Sequence, residues 1–157
     1  QQARIVCDHS VFDLRTMPAD EYPTIRPLDE AAAISLPLAA FIRAINQTVF
    51  AAAMGETNNV LGGVYMALSP TELELVATDG SRLARRVEPL ENVTIAQAVS
   101  AIIPAKSLLE FARLVGSNHA DNATVQLAIA DGQLSLKTER FYVMTRLIDG
   151  QYPQYKQ

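Results

Sequence analysis

One stretch of this chain reads as a copy of another. Met66-Ala67-Leu68-Ser69-Pro70-Thr71-Glu72-Leu73-Glu74-Leu75 aligns with Leu127-Ala128-Ile129-Ala130-Asp131-Gly132-Gln133-Leu134-Ser135-Leu136 at an offset of 61 residues. The match continues at Leu83 with Met144, Arg85 with Arg146 and Val87 with Ile148. An apolar-Pro pair stands before each copy, Leu36-Pro37 and Ile103-Pro104, at an offset of 67. The first copy therefore carries a loop six residues longer, and the extra length falls between Ala53 and Val64. Self-similarity at a fixed period marks one supersecondary unit used twice, and it limits the fold to architectures in which two such units share a core.

A longer period encloses the shorter one. Phe12 matches Tyr142, Leu14 matches Met144, Met17 matches Leu147, and Tyr22-Pro23 matches Tyr152-Pro153, each at an offset of 130. Both segments read as a closing strand that runs into an acidic turn and a Tyr-Pro exit. The expectation is a chain that opens on the tail of one domain and ends on the equivalent tail of the next. Residues 1–24 are then the last strands of a preceding domain with the start of a linker, and residues 25–157 are one complete domain. Pro23 to Asp29, with two prolines and no period, reads as the linker.

The periodicity predicts the elements. Ala31 to Leu36 reads as a short strand. Pro37 suits the first helical position, where a missing N–H costs nothing. Leu38, Phe41, Ile42, Ile45, Val49 and Ala53 then keep the spacing of one buried helix face, so a helix is expected over Pro37–Met54 with Gly55 as its stop. Strands follow at about Val60–Leu68, Glu72–Thr78 and Arg82–Val87. The second half repeats the order: a strand at Ala98–Ile103, a helix at Pro104–Val115 closed by Gly116, and strands at Thr124–Ala130, Gln133–Glu139 and Phe141–Leu147. Asp131-Gly132 is a two-residue hairpin turn. The predicted class is α+β, two pseudo-symmetric β-α-β-β-β halves with helices on one face of antiparallel sheets.

Composition narrows the function classes. Of 157 residues, 49% are hydrophobic, enough for a full core, and Trp is absent. The net charge of −4 disfavours a compact non-specific nucleic-acid binder, so any DNA contact must come from a local patch. The single Cys7 has no partner for an internal disulfide, which suits a reducing, cytoplasmic compartment. No apolar run approaches the length of a membrane span. The two histidines, His9 and His119, stand in polar surroundings, and no His or Cys spacing resembles a metal site. Asp79-Gly80-Ser81 lacks the Gly-x-Ser-x-Gly elbow and a nearby base. Gly62-Gly63 lacks the Lys and spacing of a phosphate loop. No catalytic residue, metal or cofactor is expected. A small cytoplasmic α+β enzyme is the rival reading, and it needs a clustered, titratable cleft. A β-rich interaction domain of an unrelated repeat protein is the second, and the two nested periods argue against it.

The most telling string is Leu73-Glu74-Leu75-Val76-Ala77-Thr78-Asp79-Gly80-Ser81-Arg82-Leu83-Ala84. Its physics is that of a hairpin, because Gly accepts positive φ and Asp bonds its own backbone. As a string it resembles the most characteristic segment of the bacterial DNA polymerase III β sliding clamps. Arg146-Leu147-Ile148-Asp149-Gly150-Gln151-Tyr152-Pro153 and Met17 to Pro23 extend the likeness across the chain. The resemblance implies the middle of three clamp domains. Two such three-domain chains close into a ring with helices lining the hole, and the ring is not an enzyme. The implied partners are encircled duplex DNA, the DNA polymerase III core, the clamp loader and other proteins carrying a clamp-binding motif. By motif position, Leu61, Thr78, Gly80, Ser81, Arg82, Leu83 and Pro153 match the middle-domain wall of the family's partner-peptide pocket. Their bland reading is core packing and turn geometry. Arg43, Lys106 and Arg113, on outward helix faces, are either a solvated surface, with Lys106–Glu110 as an i,i+4 pair, or a sparse lining for duplex phosphates. The family often carries His where Ser81 stands, Arg or aromatics where Asn58 and Asn59 stand, and a basic residue where Gln157 stands.

Overall fold

Both proline-marked boundaries become the same structural event: an edge strand that ends on proline and turns directly into a helix. The computed structural model describes residues 2–22, 27–28, 33–55, 59–91, 93–95, 97–116 and 120–156. Its elements are β1 (Gln2–Cys7), β2 (Ser10–Arg15), β3 (Ile34–Pro37), α1 (Leu38–Thr48), β4 (Gly63–Leu68), β5 (Glu72–Thr78), β6 (Leu83–Pro89), β7 (Val99–Pro104), α2 (Ala105–Val115), β8 (Thr124–Ala130), β9 (Gln133–Lys137) and β10 (Tyr142–Arg146). Pro37 (φ −59°, ψ 119°) and Pro104 (φ −51°, ψ 124°) keep extended backbone and flank the helices instead of opening them. Each closes a strand at the edge of its sheet, where a missing N–H leaves no ladder bond unmade. The expected strand before α1 begins at Ile34, and the Ala31–Ala32 part of that expectation lies outside the described residues, as does most of the expected linker.

The two halves exchange their first strands. One sheet runs β6-β5-β4-β7 and the other β10-β9-β8-β3, all antiparallel. β3 of the first half therefore pairs with β8 of the second, Ile34 opposite Leu127. β7 of the second half pairs with β4 of the first, Val64 opposite Ile103. The helices lie side by side under both sheets, with the fully buried Phe41 and Phe111 rings 6.0 Å apart and tilted by 58° at their contact. A single apolar core joins Leu36, Met66, Leu75, Ile103, Leu127 and Leu136 from both sheets.

The first helix is shorter than its apolar spacing suggested. It ends at Thr48, whose Oγ1 donates to the Ala44 carbonyl at 2.7 Å, and Val49–Ala51 continue as one 3₁₀ turn. A β-branched pair, Thr48-Val49, with a hydroxyl that bonds back to the helix favours this tightening. Gly55 is not the stop. The Ala53 N–H instead reaches across the longer loop to the Leu61 carbonyl at 2.8 Å. Gly116 does end α2, at φ 63°. Asp131 and Gly132 both take positive φ, 51° and 69°, the two-residue turn expected between β8 and β9.

Removing the Phe111 ring leaves a cavity beneath Phe41 that neither sheet can collapse into. Phe111→Ala is expected to cost about 3–5 kcal/mol, read as a lower urea midpoint at unchanged slope. Phe50→Ala, at a side chain 55% exposed, should stay within about 0.5 kcal/mol.

Candidate partner-binding site and helix face

The loop between β5 and β6 is built by its own side chains. Thr78 opposes Leu83, so Asp79–Arg82 form a four-residue connection. Thr78 Oγ1 donates to the Arg82 carbonyl at 2.6 Å and accepts the Gly80 N–H at 3.1 Å. Asp79 Oδ1 accepts the N–H groups of Ser81 and Arg82 at 2.9 and 3.0 Å, and its Oδ2 accepts Arg82 Nε at 2.9 Å. Those two backbone donors, helped by the Arg82 guanidinium, hold the Asp79 carboxyl below the usual carboxylate range. Gly80 sits at φ 91°, a conformation that a side chain would strain. The loop thereby presents Leu83, half exposed, beside an Arg82 guanidinium 5.9 Å from the exposed Phe50 ring.

One further segment is bonded to the hairpin, and a second packs beside that segment. The Tyr152 hydroxyl accepts the buried Thr78 N–H at 3.1 Å, and Pro153, the next residue, is exposed. Leu61 is the middle residue of a 3₁₀ turn, Val60–Gly62, fixed by the Asn59 side chain and by the Ala53 bond. Val60 packs against the cluster of Val76, Ile102 and Tyr152, and Gly150 at φ 137° lets the exit segment pass so close that a Cβ there would lie 2.7 Å from Val60. Thr78, Gly80, Ser81, Arg82 and Leu83 thus belong to one hairpin end. Pro153 is tied to it only through Tyr152, and Leu61 lies in the separate Val60–Gly62 turn.

The helix face is less basic than the sequence suggested. Arg43 forks onto Glu88 of β6, Nε to Oε1 at 2.7 Å and Nη2 to Oε2 at 3.0 Å, and Arg86 Nε adds a third bond at 2.9 Å. Glu110 pairs with Arg113 at 2.9 Å and not with Lys106 as expected. A Glu that precedes its cation along a helix is the better orientation, and Arg113 lies in the last turn, where the helix dipole favours positive charge. Lys106 is exposed in the first turn of α2. His9 is exposed, and His119, Asn58 and Gln157 lie outside the described residues. Among the described residues no group of three or more His, Cys, Asp or Glu could hold a metal ion, and no helix is long and apolar enough to cross a membrane.

A family model described as DNA polymerase III beta subunit, central domain, matches residues 35–154. The chain belongs to this family. The beta sliding clamp of Bacillus subtilis is 34% identical over 142 residues, covering 90% of this chain and 36% of that protein. The Synechococcus elongatus clamp is 33% identical over 148 residues, covering 93% and 39%. The crystal structure of the Bacillus subtilis sliding clamp superposes with a TM-score of 0.84 at 33% identity, over 98% of this chain and 39% of that one. A Pseudomonas aeruginosa clamp bound to griselimycin gives 0.83 at 28% identity, over 99% and 41%. The chain therefore spans less than half the length of these relatives.

One charged group not expected from the sequence lies on the same strand as Thr78. Glu74 of β5 is buried on the sheet face away from the helices. It accepts Arg85 Nε at 2.5 Å, the Tyr155 hydroxyl at 3.0 Å and Lys156 Nζ at 3.0 Å. In an alternating strand its position looks solvent-facing, and only the repeated Tyr-Pro exit hinted that a segment returns over it. Burial pushes the Glu74 carboxyl up, but the bonds from Arg85, Lys156 and Tyr155 outweigh it and leave the group below its usual range. Glu88 is lowered as well, chiefly by the Arg43 bond. Burial, with the Glu74 contact, pushes the Tyr155 phenol well up. Both carboxyls bind protons less readily folded than unfolded. Their stabilisation is therefore full above the ordinary carboxylate pKa, about 4.3, and fades as pH falls below it. Thermal midpoints should drop on that acid limb, and Glu88→Gln should flatten the drop while lowering the midpoint at pH 7.

Proposed function

We propose that this chain serves as the central domain of a DNA polymerase III processivity clamp, a cytoplasmic ring of two chains that encircles duplex DNA and tethers its partners. The observation that carries the reading is the Thr78–Leu83 hairpin end held to the Tyr152–Pro153 segment by the Tyr152 hydroxyl, in a chain whose family is shown. Leu83 and Phe50 are exposed apolar side chains beside a fixed guanidinium, an arrangement that can receive a Leu or Phe side chain while Arg82 and the loop N–H and C=O groups orient a peptide backbone. The occupants are linear segments of the polymerase core, the clamp loader and similar proteins. The role is topological and not catalytic, in keeping with a site whose acid, Asp79, is wholly occupied by its own loop.

The same reading accounts for the β1–β2 hairpin as the closing hairpin of a preceding clamp domain. Its strands pair Ala3 with Leu14 and Ile5 with Phe12, so these apolar side chains share one face, and all are exposed. A lone two-strand hairpin is at best marginally stable in water and needs a partner for such a face. Arg43, Lys106 and Arg113 are the cations offered to duplex phosphates, with Arg43 the least available because Glu88 holds it.

Titrating the chain with a peptide that ends in a Gln and Leu-x-Phe-like motif should shift the amide resonances of Thr78–Leu83 and Gln154. The expected Kd is on the order of 100 μM or weaker, about −5 kcal/mol, since the resemblance gives the opposite pocket wall to a third domain. Leu83→Ala should weaken binding about tenfold, from the loss of apolar surface that the peptide would cover. Shifts clustered on the Arg43 and Arg113 helix face would reject the assignment. Duplex DNA should bind weakly and lose affinity steeply with salt. Lys106→Ala should reduce that binding more than Arg43→Ala does, and the reverse order would sink the ranking.

A further inference from the structure

We propose that Glu74 is a positioning residue for the partner-binding site, holding the segment Tyr152–Lys156, and Pro153 with it, against the outer face of β5. The inference rests on the pocket reading above, and it assigns a role to a side chain that touches none of the pocket residues itself.

After β10 the chain leaves its own sheet and crosses to the other one. The Leu147 N–H bonds to the Gly132 carbonyl in the β8–β9 turn at 2.8 Å, and the next N–H, of Ile148, bonds to the Ile102 carbonyl of β7 at 2.9 Å. From there the segment runs over the β6-β5-β4-β7 sheet, antiparallel to β5. Tyr152 meets Thr78, near the end of that strand, and Tyr155 and Lys156 meet Glu74, near its start. Tyr65 of β4 supports both anchors: its ring is stacked on Tyr152 at 5.5 Å and tilted against Tyr155 at 5.9 Å. Pro153 lies between the two anchors. Pro has no N–H, so Pro153 donates no backbone bond of its own, and its place depends on what holds its neighbours. The Tyr152 anchor is a single neutral hydrogen bond with ring stacking. The Glu74 anchor is a buried, charge-assisted one that collects a hydroxyl and an ammonium from the segment, and bonds to charged groups are the stronger class.

Arg85 keeps this anchor in place without the segment. It neutralises Glu74 from the neighbouring strand, so the carboxylate is already aimed and charged when Tyr155 and Lys156 arrive. The inner face of β5, where Leu73, Leu75 and Ala77 meet the core, does not include Glu74. Loss of the carboxylate is therefore expected to free the segment while the domain stays folded.

The test uses the chain with three variants, Glu74→Ala, Glu74→Gln and Tyr155→Phe. Backbone order parameters are measured for Gln154, Tyr155 and Lys156 against β4 and β8, alongside the peptide titration. In the wild type the three residues should be near the rigid value of about 0.85, and Glu74→Ala should bring them toward 0.6 or below with β4 and β8 unchanged. Peptide affinity should fall about three- to tenfold, with smaller effects in the same direction for Glu74→Gln, which keeps an acceptor for Tyr155, and for Tyr155→Phe, which removes one contact. Order parameters that stay high in Glu74→Ala overturn the proposal. So does a freed segment with peptide affinity held within about twofold. If the wild type binds no peptide, the pocket reading fails, and the order parameters alone still decide whether Glu74 holds the segment.

Discussion

Neither half of this domain can complete its own sheet. β3 belongs by sequence to the first half and by hydrogen bonding to the second, and β7 makes the reciprocal exchange. Each strand leads through its terminal proline into the helix of its own half, so a helix is tied to one sheet by its entering strand and to the other by the strand that follows it. The Phe41–Phe111 contact lies where these ties cross. With the four edge positions taken by β3, β10, β6 and β7, the two halves share one core and behave as one cooperative unit despite the internal repeat.

A second layer of cover distinguishes one sheet from the other. The inner face of β6-β5-β4-β7 meets the helices, and its outer face meets the segment that follows β10. β5 is consequently buried along almost its whole length, including Glu74 and Thr78, although its sequence alternates. The polar groups trapped there are all partnered: Glu74 by Arg85, Tyr155 and Lys156, and Thr78 by Tyr152 and its own loop. Satisfied buried networks of this kind fix one arrangement of the chains that meet in them. Here they fix the hairpin end relative to the Tyr152–Lys156 segment, the geometry on which the proposed peptide site rests.

The order of elements and the placement of the hairpin residues were legible because they rest on short-range chemistry: two Leu/Ile-Pro steps, two helical apolar stripes, and Asp-Gly turns. Glu72–Thr78 and Thr124–Ala130 were legible to the residue. The strand exchange was not, since a period of 61 residues states that two units are alike and says nothing about which edge each first strand will join. The end of α1 was misplaced because Val49 stays on the buried stripe after the α-helix has tightened into a 3₁₀ turn. The partners of Arg43 and Glu110 were hidden for a similar reason. Glu88 lies on a strand far along the chain, and an i,i+4 spacing cannot reveal that an i,i+3 arginine will take the carboxylate. Glu74 was passed over because alternation reports only one covering layer, and here there are two.

The exchanged strands also impose an order of events on synthesis. β3 leaves the ribosome well before its partner β8, whose pairing residues begin at Thr124. The β4–β5–β6 meander must likewise wait for β7 before its edge is closed. Until then the nascent first half holds an unpaired strand and an apolar helix stripe with nothing to cover them, the condition in which chains stick to one another. Closure depends on contacts distant in sequence, which are slow to form. A domain of this design can be made piecewise but cannot be finished piecewise. Its vulnerable interval lasts until β8 has emerged, whatever the stability of the completed fold.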